Sequence, residues 1–112
     1  MHKHYSLESL HEMTEGDREF MTIVVTTFLE EIPPDLKSMA EAVENDNKEL
    51  AYQIAHKMKP NLEMFGIQLK KDVTAIETWT KTSKSKAKIM AHIDTITTTL
   101  DQVFKELKTD FL

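Results

Sequence analysis

An all-helical fold is predicted by three features of the chain. Glycine and proline, which punctuate strand-rich folds at their tight turns, number only two and three among 112 residues. Apolar residues recur every three or four positions along most of the sequence, the period of a helix rather than the alternation of a strand. Breaks between these runs are few: Pro33-Pro34, Glu44 to Asn47, Gly66, and the polar stretch Thr82 to Lys86. At this length one domain is expected, spanning residues 1–112. A chain of this size buries roughly two thirds of the surface it exposes when unfolded, enough for a core without disulfides or metal.

A short first helix is expected over 7–12, with Ser6 as N-cap and Tyr5 placed to pack on Leu10. It is too short to be stable alone. Asp17 is placed to cap the next segment, in which Phe20, Val24, Thr27 and Phe28 recur at helical spacing up to Ile32. Pro33 and Pro34 are expected to stop or kink it, because neither has an N–H and Pro34 disfavours helical angles at Pro33. The helix resumes with Leu36, Met39, Ala40 and Val43 inward, and Asp46 with Glu49 resembles a capping box for its successor. The third segment has the clearest stripe, Ala51, Ala55, Met58, Leu62 and Phe65, closed by Gly66 as C-terminal cap. Leu69, Val73, Ile76 and Thr80 line the fourth, with Trp79 on its flank. The last carries the heptad seam Ile89, Ile93, Ile96, Leu100, Val103 and Leu107, which overrides the poor helix propensity of Thr95 and Thr97 to Thr99. Short connections make neighbours antiparallel. The expected architecture is therefore an up-down-up-down four-helix bundle, with a proline-kinked first bundle helix and the small N-terminal helix packed across it.

Several function classes are disfavoured by composition. The absence of cysteine removes disulfides, thiolate nucleophiles and cysteine-ligated zinc. With 14 Lys+Arg against 19 Asp+Glu and no long basic cluster, nucleic acid is not expected as a partner. No run approaches 18 apolar residues and the N-terminus lacks a signal-peptide core, so no membrane association and a cytoplasmic location are expected. A di-metal carboxylate bundle needs a Glu-x-x-His motif on each of two helices. Only Glu8 with His11 has that spacing, on the outer helix, so no metal site is expected. His2 and His4 read as incidental to the terminus, His92 as a packing residue on the flank of the last stripe, and Trp79 and the methionines as core.

The third helix carries one histidine. Stepping about 100° per residue puts His56 roughly 140° from the centre of the apolar stripe, hence on the exposed face. Tyr52, Gln53, Lys59 and Pro60 are its neighbours one turn away, with Glu49 and Glu63 a turn further. An exposed histidine on a helix is commonly without function, but two features here point to chemistry. Lys59 sets an ammonium beside the ring, where it could bind the oxygens of a phosphoryl group carried on the imidazole. Pro60 removes the N–H that would bond the carbonyl of His56, an interior helix breaker costing about 3 kcal/mol. Such local conflicts concentrate at functional sites, although a harmless kink is the competing explanation.

The segment Ala55-His56-Lys57-Met58-Lys59-Pro60-Asn61-Leu62-Glu63-Met64-Phe65-Gly66 resembles the signature of histidine-containing phosphotransfer (HPt) domains. That signature is Ala-His, an apolar residue, Lys, usually Gly, two small residues, and a Gly ten positions after the histidine. The helix start Gly16-Asp17-Arg18-Glu19-Phe20, the Phe28 to Pro33 segment and Leu36 to Ala42 also look like the family, so the resemblance runs from about Tyr5 to the final helix. Pro60 and Asn61 depart from it; proline, like the usual glycine, has no long side chain to obstruct a partner. The resemblance implies a phosphocarrier in which His56 accepts and donates the phosphoryl group, Lys59 is its electrostatic partner, and Gly66 is a packing or helix-end position. The phosphoryl group would come from a phosphoaspartate on a response-regulator receiver domain and pass to another, within a relay fed by a hybrid sensor histidine kinase. Mg²⁺ is expected on the receiver and no cofactor on this chain.

No Gly-rich phosphate loop or kinase motif is present, so self-phosphorylation from ATP is not expected and the chain is not read as an enzyme. Docking is expected over Tyr52, Pro60, Glu63 and Met64, together with Val25 and Leu29, which lie roughly 90° or more from the main stripe of their helix. Val25 and Leu29 could equally cover the short N-terminal helix. The alternative function is a bundle that binds a receiver or kinase as decoy or inhibitor without carrying phosphate. A monomer is expected, since a complete bundle needs no second chain to close its core.

Overall fold

The computed structural model describes residues 4–111. It contains five helices and, among the described residues, no strand: α1 (Glu8–Met13), α2 (Arg18–Glu44), α3 (Lys48–Met64), α4 (Lys70–Trp79) and α5 (Ile89–Phe111). Contacts run from α2 to α3, α3 to α4, α4 to α5 and α5 back to α2, so the four longer helices share one core. At about 1.5 Å per residue the 27 residues of α2 reach roughly 40 Å, which sets the long dimension of the 46 × 24 × 20 Å body. His2 lies outside the described residues.

The seams of α3 and α5 pack as their spacing predicts. Ala51, Ala55, Met58, Leu62 and Phe65 are all buried, and so is every member of the α5 seam from Ile89 to Leu107. In α2 the expected Phe28, Leu36, Met39 and Val43 are buried, but in the first turns the phase differs: Phe20 and Thr27 are exposed and Val24 is only partly buried. The buried line is Met21, Val25, Phe28, Ile32, Leu36, Met39 and Val43, one residue on from Phe20 and Val24. Because α2 packs on both α3 and α5, its inner face is set by the position shared between two neighbours. Phe28 shows this directly, its ring 4.2 Å from that of Phe65 and 6.2 Å from that of Phe104 in α5.

Pro33 and Pro34 do not stop α2, which is helical from Arg18 to Glu44. The two missing N–H groups free the carbonyls of Leu29 and Glu30. Pro34 and Glu30 are exposed and Pro33 and Leu29 only partly buried, so water can take those bonds while the inner face stays packed.

The ends of the helices are set by short polar devices. Asp17 caps α2 as expected, accepting from the N–H of Phe20 at 3.2 Å. The expected Asp46–Glu49 box does not form. Asp46, at φ +55°, takes the left-handed position that ends α2, and Asn47 caps α3 by accepting from the N–H of Leu50 at 3.2 Å. Likewise Ser6 is not the N-cap of α1, a position taken by Leu7; its hydroxyl only reaches the N–H of Glu8 at 3.4 Å. The backbone N–H of Ser6 instead donates to the carbonyl of Phe65 at 2.8 Å, pinning the N-terminal segment to the end of α3. Tyr5 and Leu10 are buried as expected. At the other end of this segment the Tyr5 hydroxyl donates to the Asp110 carboxylate, Arg18 donates to the Asp110 carbonyl at 2.9 Å, and His4 holds Glu106.

Gly66 serves both helix termination and packing. It sits at φ +61°, its N–H donates to the carbonyl of Glu63 and the N–H of Ile67 to that of Leu62, the two bonds of a left-handed helix end. A Cβ here would lie 2.7 Å from Cβ of Ser6, with the Ser6 backbone N and O at 3.1 and 3.2 Å. Gly66→Ala is expected to destabilise the protein by about 2–4 kcal/mol, combining the left-handed penalty with overpacking. Gly16→Ala, at φ +77° but facing only the movable ring of His11, is expected to cost about 1 kcal/mol. Urea unfolding of the two variants measures the contrast.

Candidate functional site

α3 presents His56 on its outer face, midway along a helix whose opposite side is held by buried Ala55, Met58 and Leu62. The His56 side chain is 67% exposed, as the stripe predicts. Tyr52, one turn earlier, stacks on it with ring centroids 5.6 Å apart and planes 11° apart. α3 runs unbroken through Pro60, which is exposed, so the carbonyl of His56 lacks its intrahelical donor without loss of the helix.

The residue that organises the site comes from α4. Glu77 is buried, with one carboxylate oxygen 3.0 Å from Nδ1 of His56 and the other 2.9 Å from Nζ of Lys59. Burial alone pushes this carboxyl up, but the hydrogen bonds from Lys59 and then His56 outweigh it and hold it below the ordinary carboxylate value. The bond to Glu77 in turn raises the pKa of Lys59. An ionised carboxylate only accepts, so Nδ1 of His56 must carry the proton. In the neutral ring that leaves the lone pair on Nε2, the nitrogen not bound to Glu77.

These shifts give a pH window. Glu77, with its folded value depressed, adds stability above the ordinary carboxylate pKa of about 4.3, lost as pH falls through its lower folded value. Lys59, with its folded value raised, adds stability that is full below about pH 10.4 and lost as pH rises through the folded value above it. The stability that Glu77 adds over Glu77→Gln is therefore expected to shrink as pH falls from about 5 towards 3; thermal melts across that range measure it.

Of the residues expected at the site, Tyr52, His56 and Lys59 come together in one cleft with Glu77. Glu63 is exposed further along α3. Met64 is partly buried and lines a different groove, between α2 and α3, with Ile23, Val24, Thr27 and Asn61. Val25 is not available for docking: it is fully buried, and Leu29 is partly buried against the core. Both belong to the inner side of α2 once its phase is corrected. The apolar side chains that α2 does expose are Phe20 and Ile23, 46% and 58% accessible.

No family model matches this chain, and neither the curated proteins nor the solved structures give a match.

Glu77 was not among the residues that the sequence singled out. Its signal is its position: four residues after Val73 and next to Ile76, it is an acid where the stripe of α4 calls for an apolar residue. Two other histidines, His92 and His4, have structural partners. His92 is half-buried with Nδ1 2.9 Å from Asp72, and His4 is tied to Glu106. Trp79 is core, its N–H donating to the carbonyls of Lys84 and Ser85 at 3.0 and 3.1 Å. Among the described residues no group of three or more His, Asp or Glu side chains could hold a metal ion, and no helix is long and apolar enough to cross a membrane.

Proposed function

We propose that this chain is a histidine phosphotransfer protein, an antiparallel up-down-up-down bundle that accepts a phosphoryl group on His56 from a receiver-domain phosphoaspartate and passes it to another receiver. The observation that carries this reading is the exposed imidazole whose Nδ1 is tied to a buried, ionised Glu77. A relay protein needs a nucleophile that reaches into a partner's site while keeping a fixed tautomer, and this arrangement supplies both.

The step balances without a proton acceptor. Nε2 attacks the phosphorus of the acyl phosphate, the P–O bond to the aspartyl carboxylate breaks, and the carboxylate leaves with the electron pair. The ring becomes an N-phosphorylated imidazolium that still carries the Nδ1 proton, and Glu77 faces the positive charge so formed. Reversal hands the group to the next receiver. Mg²⁺ and the groups that activate the acyl phosphate belong to the receiver. The groove between α2 and α3, lined by exposed Ile23 together with Val24 and Met64, offers apolar ground for docking in place of Val25.

One observation favours the binding-only alternative: Lys59 is engaged by Glu77 rather than free for a phosphoryl group. The test is to mix the protein with a receiver charged by a small phosphodonor and to locate acid-labile phosphate by peptide mass. Label on His56 is expected. Receivers that bind but leave His56 unlabelled would establish the binding-only bundle instead.

A further inference from the structure

On α3 itself, neither lysine near His56 is free to meet a phosphoryl group. Lys59 is held by Glu77 and Lys57 lies 3.2 Å from Asp35. The opposite wall of the cleft carries another cation. Lys81, in the turn after α4, places its ammonium 5.2 Å from the centre of the Tyr52 ring, the ring that stacks on His56. Lys81 lines the same cleft as His56, Lys59 and Glu77, and among the described residues it has no carboxylate within ion-pair range.

We infer that Lys81 is the cation that binds the phosphoryl oxygens on His56, swinging from the face of Tyr52 into the cleft; this rests on the phosphotransfer reading above. A phosphoryl group on Nε2 brings two negative charges beside a cleft that already holds the carboxylate of Glu77. Lys59 balances Glu77 and the imidazolium balances one charge of the phosphoryl group, which leaves one charge and its acceptor oxygens unmatched. An ammonium has three donors on a flexible stem, and a surface cation–π contact is weak enough to be exchanged for a charge-assisted hydrogen bond. The hydroxyls of Thr74 and Thr78 line the same cleft and add donors beside it.

The test needs no receiver. Phosphoramidate reacts with the ring as the P–N bond of the donor breaks, ammonia leaves with the electron pair, and a P–N bond forms to Nε2. The pH dependence of the ³¹P shift of phosphorylated His56 then reports how strongly its surroundings favour the dianion. In Lys81→Gln the midpoint is expected to move up by about 0.5, a threefold change in proton affinity, and Lys81→Arg is expected to restore the parent value. A merely structural role for this exposed side chain would not move that midpoint. Label on His56 with the same midpoint in the parent and Lys81→Gln overturns the role of Lys81 and leaves phosphotransfer standing. No label on His56 of the parent overturns both.

Discussion

His56→Gln is expected to abolish acid-labile phosphorylation, a loss of at least about 10³-fold to assay background, while leaving the fold and receiver binding intact. The side chain is 67% exposed, its ring stacked on Tyr52 and its Nδ1 bonded to Glu77, so stability is expected to stay within about 0.5 kcal/mol of the parent. A glutamine amide can still donate to Glu77, which keeps that carboxylate and Lys59 in place. What it lacks is a nucleophilic nitrogen, because the amide lone pair is delocalised, and loss of a nucleophile is among the costliest changes a group-transfer site can suffer. Transfer in the parent that is lost in the variant at unchanged receiver affinity identifies the carrier, since a bundle that only binds would show no transfer in either protein.

Glu77→Gln is expected to slow transfer at saturating receiver by about 10–100-fold with little change in receiver affinity, by analogy with the loss of a carboxylate that orients a metal-ligating histidine. Two effects act in the same direction. The amide can offer oxygen or N–H to Nδ1, so the ring is no longer held as the tautomer with its lone pair on Nε2. The imidazolium formed on transfer also loses the carboxylate that faces it, so the equilibrium moves towards the receiver's phosphoaspartate. Release of Lys59 acts the other way by freeing a cation, but a free surface ammonium is worth little beside a lost tautomer. Single-turnover transfer rates, with receiver binding measured separately, show the split.

Much of this was legible in the residues. A seam such as Ile89 to Leu107 in α5 has a strict period and no competing apolar face, and it packs as read. The first turns of α2 have no unique phase because they are apolar on more than one side: Phe20, Val24, Thr27 and Met21, Val25, Phe28 are both helical lines, and only the placement of α3 and α5 decides between them; the second half, Leu36, Met39 and Val43, packs as expected. At Pro33-Pro34 the stop that propensity allows does not occur, because lost bonds on the outer, exposed or partly buried side are tolerated by a helix held through its other face. At the site, His56, Tyr52 and Lys59 share one helix, so spacing alone brings them together. Glu77 reaches them from α4, and a contact between residues 21 apart in the chain leaves no local period to read.

The bonds from Tyr5 and Arg18 to Asp110 bring the two extremities of the described chain into touch. A host polypeptide could therefore enter and leave this bundle at nearly one point, so inserting it into another protein's loop would neither stretch that loop nor cost much extra closure entropy. The same proximity makes it suited to circular permutation, with residues 5 and 110 bridged by a short linker and new termini opened in the polar turn between α4 and α5.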